Sequence, residues 1–224
     1  MAEWIVIAGD GLSAAINPLG AELSSLKDAA GRELMTDADP AFWTGRAPLL
    51  FPVVGRPAGE TIRVDGREYP MKQHGFARRM AFTVTEQAPD RATFVLTDTP
   101  ETRECYPFAF RLEVTFSIAG ATLSVDVSVV NPGDAPLPAS FGFHPAFAWP
   151  LPGGGAKEVH RVTFAADEPE AIRRIDGDGQ IAPAACASPL DGRMLHLRDD
   201  LFAHDALIWD RLHSDHVTYG DATG

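Results

Sequence analysis

Along residues 110–131, FRLEVTFSIAGATLSVDVSVVN, apolar Leu112, Val114, Phe116 and Ile118 alternate with Glu113, Thr115 and Ser117. A period of two puts every second side chain on one face, so the stretch reads as a strand with one buried side. After Ala119 and Gly120 the alternation resumes with Leu123, Val125, Val127 and Val129, which predicts a hairpin closed around Gly120. The same pattern predicts a hairpin turning at Asp65 and Gly66 in TIRVDGREYPM, and another near Pro89 and Asp90 in AFTVTEQAPDRATFVLTDT. Shorter strands are expected at 4–8, 12–17, 21–27, 159–164, 194–198, 206–209 and 216–219. No stretch repeats apolar residues with a 3.6-residue period over three turns. The fold class that follows is all-β and antiparallel, as a β-sandwich of two large packed sheets.

Two stretches interrupt the rhythm. Residues 36–60, TDADPAFWTGRAPLLFPVVGRPAGE, and 131–155, NPGDAPLPASFGFHPAFAWPLPGGG, mix prolines and glycines with aromatic and aliphatic residues. They read as long, partly buried loops, and loops held on a rigid scaffold are where binding sites are commonly assembled. No repeat, low-complexity tract or shift in composition marks a boundary, so a single domain over 1–224 is expected, with a flexible spot at 153–155.

Composition narrows the partners. With 31 acidic against 19 basic residues, the net charge of −12 repels phosphate backbones and anionic lipid, which argues against nucleic acid and membrane surfaces. The opening MAEWIVIAGDG lacks a basic leader, and nowhere do about 18 apolar residues run together, so a soluble, cytoplasmic protein is expected. Cys105 and Cys186 are too few and too far apart for a disulfide framework or a zinc site, and are read as inert thiols.

Two histidines stand out. His74 lies in MKQHGFARR, and His144 in FGFHPAF is flanked by Phe141, Phe143 and Phe147, a setting expected to be poor in water. An imidazole can exchange a proton near neutrality, with an unperturbed pKa of about 6.5. Taken alone, each histidine reads more readily as a half-buried ring bonded to a backbone carbonyl. Aromatic faces beside imidazoles, with Arg56 and Arg78 as donors and Asp205 as acceptor, form an inventory suited to a sugar, which presents apolar C–H faces and a rim of hydroxyls. His204, His213 and His216 near the C-terminus read as solvated side chains; no cysteine or glutamate completes a zinc signature there, and no metal or other cofactor is expected.

The ordered set PLLFPVVGR (48–56), HGFAR (74–78), YPFAFRLEVTF (106–116), FGFHPAF (141–147) and HDALI (204–208) resembles the aldose 1-epimerase, or galactose mutarotase, family, in particular its bacterial branch of unassigned sugar specificity. The resemblance runs from about residue 3 to residue 219. It implies a large antiparallel sandwich and interconversion of α and β anomers of a free aldose without a cofactor: a base takes the C1 hydroxyl proton, an acid protonates the ring oxygen, and the ring opens and recloses. By that pattern His144 is the general acid and His74 hydrogen-bonds the same region. Arg56 binds the sugar near its ring oxygen, Asp205 anchors hydroxyls away from C1, and Arg78 supports from behind.

The pattern's base is a glutamate in an EPW-like motif near the C-terminus, and no glutamate follows Glu170 here. The expectation is therefore a short chain lacking the last strands of the sandwich, with reduced turnover and an exposed sheet edge inviting a homo-oligomer. Sugar binding or sensing without turnover is the alternative. A hexose-phosphate 1-epimerase ranks lower, since the sequence shows no additional basic cluster for a phosphate.

Overall fold

The computed structural model describes residues 3–221. Within them the chain gathers into two compact units that divide between Ala148 and Trp149.

In the first unit the alternating segments form the expected hairpins. β1 (Ile5–Ala8), β2 (Leu12–Asn17) and β3 (Glu22–Asp28) make a three-stranded sheet, antiparallel throughout. After the two-residue β4 (Leu49–Leu50), β5 (Thr61–Val64) and β6 (Arg67–Pro70) close the Asp65–Gly66 hairpin, with positive φ at both turn residues. β7 (Thr83–Ala88), β8 (Arg91–Thr97), β9 (Arg111–Ala119) and β10 (Thr122–Val130) form a four-stranded sheet in the order β10-β9-β8-β7. Residues 92–96 of β8 are all buried, as befits a central strand covered on both faces. The hydroxyls of Thr93 and Thr115 bond each other at 2.9 Å inside the sheet, so neither is left unsatisfied.

Both sheets contribute to one core. Ile7, Ile16 and Leu23 come from the first, and Phe94, Leu112, Val114 and Phe116 from the second. One element escaped the periodicity reading: α1 (Pro100–Cys105), whose six residues are too few to show a stripe. Its start is nonetheless written locally. Thr99 and Thr102 form a reciprocal capping box, and Pro100 occupies a position where its missing N–H costs nothing. At the sheet edge, β10 turns Val125 and Val127 inward, while Val129 and Val130 are exposed.

The second unit contains β12 (His160–Phe164), β13 (Met194–His196) and β14 (Val217–Asp221), ordered β13-β12-β14; β11 (Gly142–Phe143) belongs to the first unit. Leu195, Leu197 and Leu201 form its core, with Trp149, Leu207, Trp209 and Tyr219 packed around them. The expected strand at 206–209 reduces to one bridge between Arg173 and Ile208. Buried His160 organises the glycine-rich turn: its Nε2 accepts from the Leu151 N–H at 3.0 Å and its Nδ1 lies 3.0 Å from the Ala156 carbonyl. No helix among the described residues is long and apolar enough to cross a membrane.

Candidate functional site

The two long loops of the first unit bind each other. β4, in the first loop, pairs with β11 in the second, Leu50 opposite Gly142 and Leu49 opposite Phe143. The chain just after β4 is held on its other side by the HGFAR segment. The Phe51 carbonyl accepts from the N–H groups of Phe76 at 3.0 Å and Ala77 at 3.2 Å, and Phe51 bridges Gly75. Residues 49–55 therefore form a seam with one histidine-bearing segment on either flank.

Glycine makes the seam tight. A Cβ at Gly75, where φ is +68°, would stand 2.1 Å from the Phe51 carbonyl oxygen. At Gly142 an added Cβ would meet the Val54 side chain at 3.1 Å. With the flanks this close, the rings of His74 and His144 come to 5.9 Å between centroids, inclined at 61°.

The protonation pattern of His74 follows from its contacts. Its Nδ1 accepts the Gly55 N–H at 3.1 Å, and its own backbone N–H returns to the Gly55 carbonyl at 2.9 Å. An Nδ1 that accepts carries no proton, so the neutral ring holds its hydrogen on Nε2. Burial holds the pKa of His74 below its ordinary value, and the charges of Arg78, His144 and Arg79 push the same way. The neutral form with a donating Nε2–H is thus favoured.

His144 is exposed, not secluded among phenylalanines as the sequence led one to expect. Phe141 and Phe143 pack on each other at 5.1 Å, and Phe147 is itself exposed. The ring that faces His144 is Trp43 from the first loop, 5.0 Å away between centroids at 56°. His144 also borders a cavity of about 650 Å³ whose walls include Leu23, Leu34, Leu49, Leu123 and Phe143.

The other sequence candidates fall as follows. Arg56 directly follows Gly55 of the seam, and its exposed guanidinium pairs with Glu60 at 3.1 Å. Arg78 is half-buried, donates to the Gln73 carbonyl at 3.3 Å and bears on the charge of His74. Its own pKa is lowered by burial and by Arg79, with Glu22 opposing. Asp205 belongs to the second unit, exposed at φ +64°, with its Oδ1 accepting from the Ala206 N–H at 2.7 Å. In that unit the His213 N–H donates to Glu168, and His216 Nδ1 lies 2.6 Å from Asp215. Among the described residues no group of three or more His, Cys, Asp or Glu is arranged to hold a metal ion.

Trp43 was not singled out from the sequence. The available signal was the WTG triplet, a large ring two residues before a glycine.

Comparisons with known proteins agree with the ordered motifs. The family model for aldose 1-epimerase matches residues 3–172. The plasmid-encoded Protein LacX of Lactococcus lactis subsp. lactis is 30% identical over 222 residues, covering 96% of this chain and 74% of that protein. A galactose mutarotase related enzyme from Lactobacillus acidophilus superposes with a TM-score of 0.84 at 33% identity, over 91% of this chain and 68% of its own. A galactose mutarotase-like protein from Lactobacillus casei gives 0.81 at 30% identity, over 91% and 70%.

Proposed function

The chain belongs to the aldose 1-epimerase family, and from that premise we propose that it interconverts the α and β anomers of a free aldose by acid–base ring opening. The observation that carries this reading is the approach of His74 and His144 to 5.9 Å, close enough for both imidazoles to address one pyranose. Ring opening needs a proton delivered to the ring oxygen as the C1–O bond breaks. His144 is assigned that delivery: it is exposed, and among the described residues neither of its ring nitrogens is tied to a protein partner. A positioned acid of this kind contributes roughly 10²–10⁴-fold.

His74 takes a different part. Held neutral with Nε2–H free to donate, it hydrogen-bonds the oxygen on which charge develops and passes no net proton. Arg56, next to Gly55 of the seam, and Arg78, in the segment that carries His74, are assigned as further donors to the sugar. The C1 hydroxyl proton goes to solvent water; in the family pattern a glutamate takes it, and none of the residues named above takes that glutamate's place.

A second reading is sugar recognition without turnover. It draws on the charges around His74, since Arg78 and Arg79 are cationic and suit hydrogen-bond donation to hydroxyls. Exchange NMR between the anomers of D-galactose or D-glucose separates the two. Faster exchange with protein present supports the isomerase. Sugar binding with exchange at the solvent rate leaves the recognition reading, and no binding removes both.

A further inference from the structure

Trp43 sits on an arch of chain that is closed at both feet over the segment carrying His144. The Thr36 N–H donates to the Ala146 carbonyl at 2.9 Å, and the Ala146 N–H donates to the Arg46 carbonyl at 2.7 Å. Arg46 is fastened further: its N–H and that of Ala47 reach Glu22 Oε1 at 2.7 and 3.0 Å, and its guanidinium donates to the carbonyls of Ser24 and Asp37. At the crown, the Trp43 N–H donates to the Asp39 carbonyl at 2.9 Å. The indole then folds back over Gly45, where an added Cβ would lie 2.5 Å from Cζ2 and 2.8 Å from Cε2. Only a residue without a side chain leaves room for that ring.

The indole is thus fixed by its loop, yet 37% of the residue remains exposed. Its N–H has no protein hydrogen-bond partner among the described residues, and its ring lies 5.0 Å from the imidazole of His144. A rigid aromatic surface with a free donor beside a free imidazole matches the two-sided character of a pyranose, apolar on its C–H face and polar at its rim.

We propose that Trp43 is a substrate-contacting residue, the platform on which the C–H face of an aldopyranose stacks while its ring oxygen lies toward His144. This rests on the sugar-site reading above. The platform is held in place by Gly45 and by the two bonds to Ala146. A contact of this kind forms with the bound sugar before any bond changes, so its loss shows first in affinity.

The experiment titrates the protein with D-galactose and with D-glucose, following tryptophan emission and, in parallel, saturation-transfer NMR on the sugar C–H protons. Emission should change on binding in the wild type and not in Trp43→Phe. Trp43→Ala should weaken binding roughly tenfold, with KM rising by a larger factor than kcat falls. Trp43→Phe, which keeps a smaller ring, should recover part of the affinity. Gly45→Ala retains the indole but displaces it, and should weaken binding as Trp43→Ala does. If the wild type binds sugar and both Trp43→Ala and Gly45→Ala bind it equally well, the platform is wrong while the sugar site stands. If the wild type binds neither sugar, both fall together.

Discussion

His74 and Gly55 hold each other by two hydrogen bonds, the Gly55 N–H to His74 Nδ1 at 3.1 Å and the His74 N–H to the Gly55 carbonyl at 2.9 Å. Orientation and tautomer are therefore set by one glycine on a neighbouring loop. Because that glycine precedes Arg56, the same two bonds tie the arginine's backbone to the imidazole.

The burial of His74, with Arg78 and Arg79 close by, makes stability depend on pH in a defined direction. The folded pKa of His74 lies below its ordinary 6.5, so the unfolded chain binds more protons between the two values. The resulting stabilisation is complete above about pH 6.5 and is lost as pH falls through the folded pKa. Denaturant midpoints measured between pH 7.5 and pH 5 should fall on acidification. His74→Gln should flatten that part of the curve; an unchanged slope would exclude His74 as its source.

Gly75→Ala should be among the most damaging single changes in the first unit. It forces a left-handed backbone on alanine and drives a Cβ to 2.1 Å from the Phe51 carbonyl oxygen, which must move and break the seam. A loss of about 3 kcal/mol or more is expected from urea unfolding. A variant as stable as the parent would show that the seam tolerates opening.

Glu22 receives two backbone N–H bonds, from Arg46 and Ala47, at the foot of the arch. Glu22→Ala leaves both donors without this acceptor and should cost about 1–3 kcal/mol. Sugar affinity should drop with it, because the arch also carries Trp43. Thermal unfolding and calorimetric titration together test the link.

His144→Asn should reduce anomer exchange by roughly 10²–10⁴-fold while changing sugar affinity far less. Equal losses in both would make His144 a binding group. No loss in either would remove it from the site.

The strands were legible because period two survives wherever one face is buried. β9 and β10 pair residue for residue, with Val129 exposed at the far end of β10, and the turns at Gly120 and at Asp65–Gly66 carry residues that accept positive φ. The convergence of His74 and His144 was not legible from periodicity or composition. It depends on a two-residue pairing between loops, Leu49–Leu50 with Gly142–Phe143, too short to leave any pattern. Only the resemblance of the ordered motifs pointed to it. The exposure of His144 went the other way from expectation, since Phe141 and Phe143 pack on each other rather than around the imidazole. Which ring replaces them depends on Gly45, whose lack of a side chain matters for a neighbour two residues away.

That the two imidazoles act on one sugar is tested most directly by a double-mutant cycle on anomer exchange, with His74→Gln, His144→Asn and both together. Groups addressing one substrate couple, so the double variant should lose clearly less than the product of the two single losses. Losses that multiply to within about 0.5 kcal/mol, or a wild type that leaves anomer exchange at the solvent rate, would contradict it.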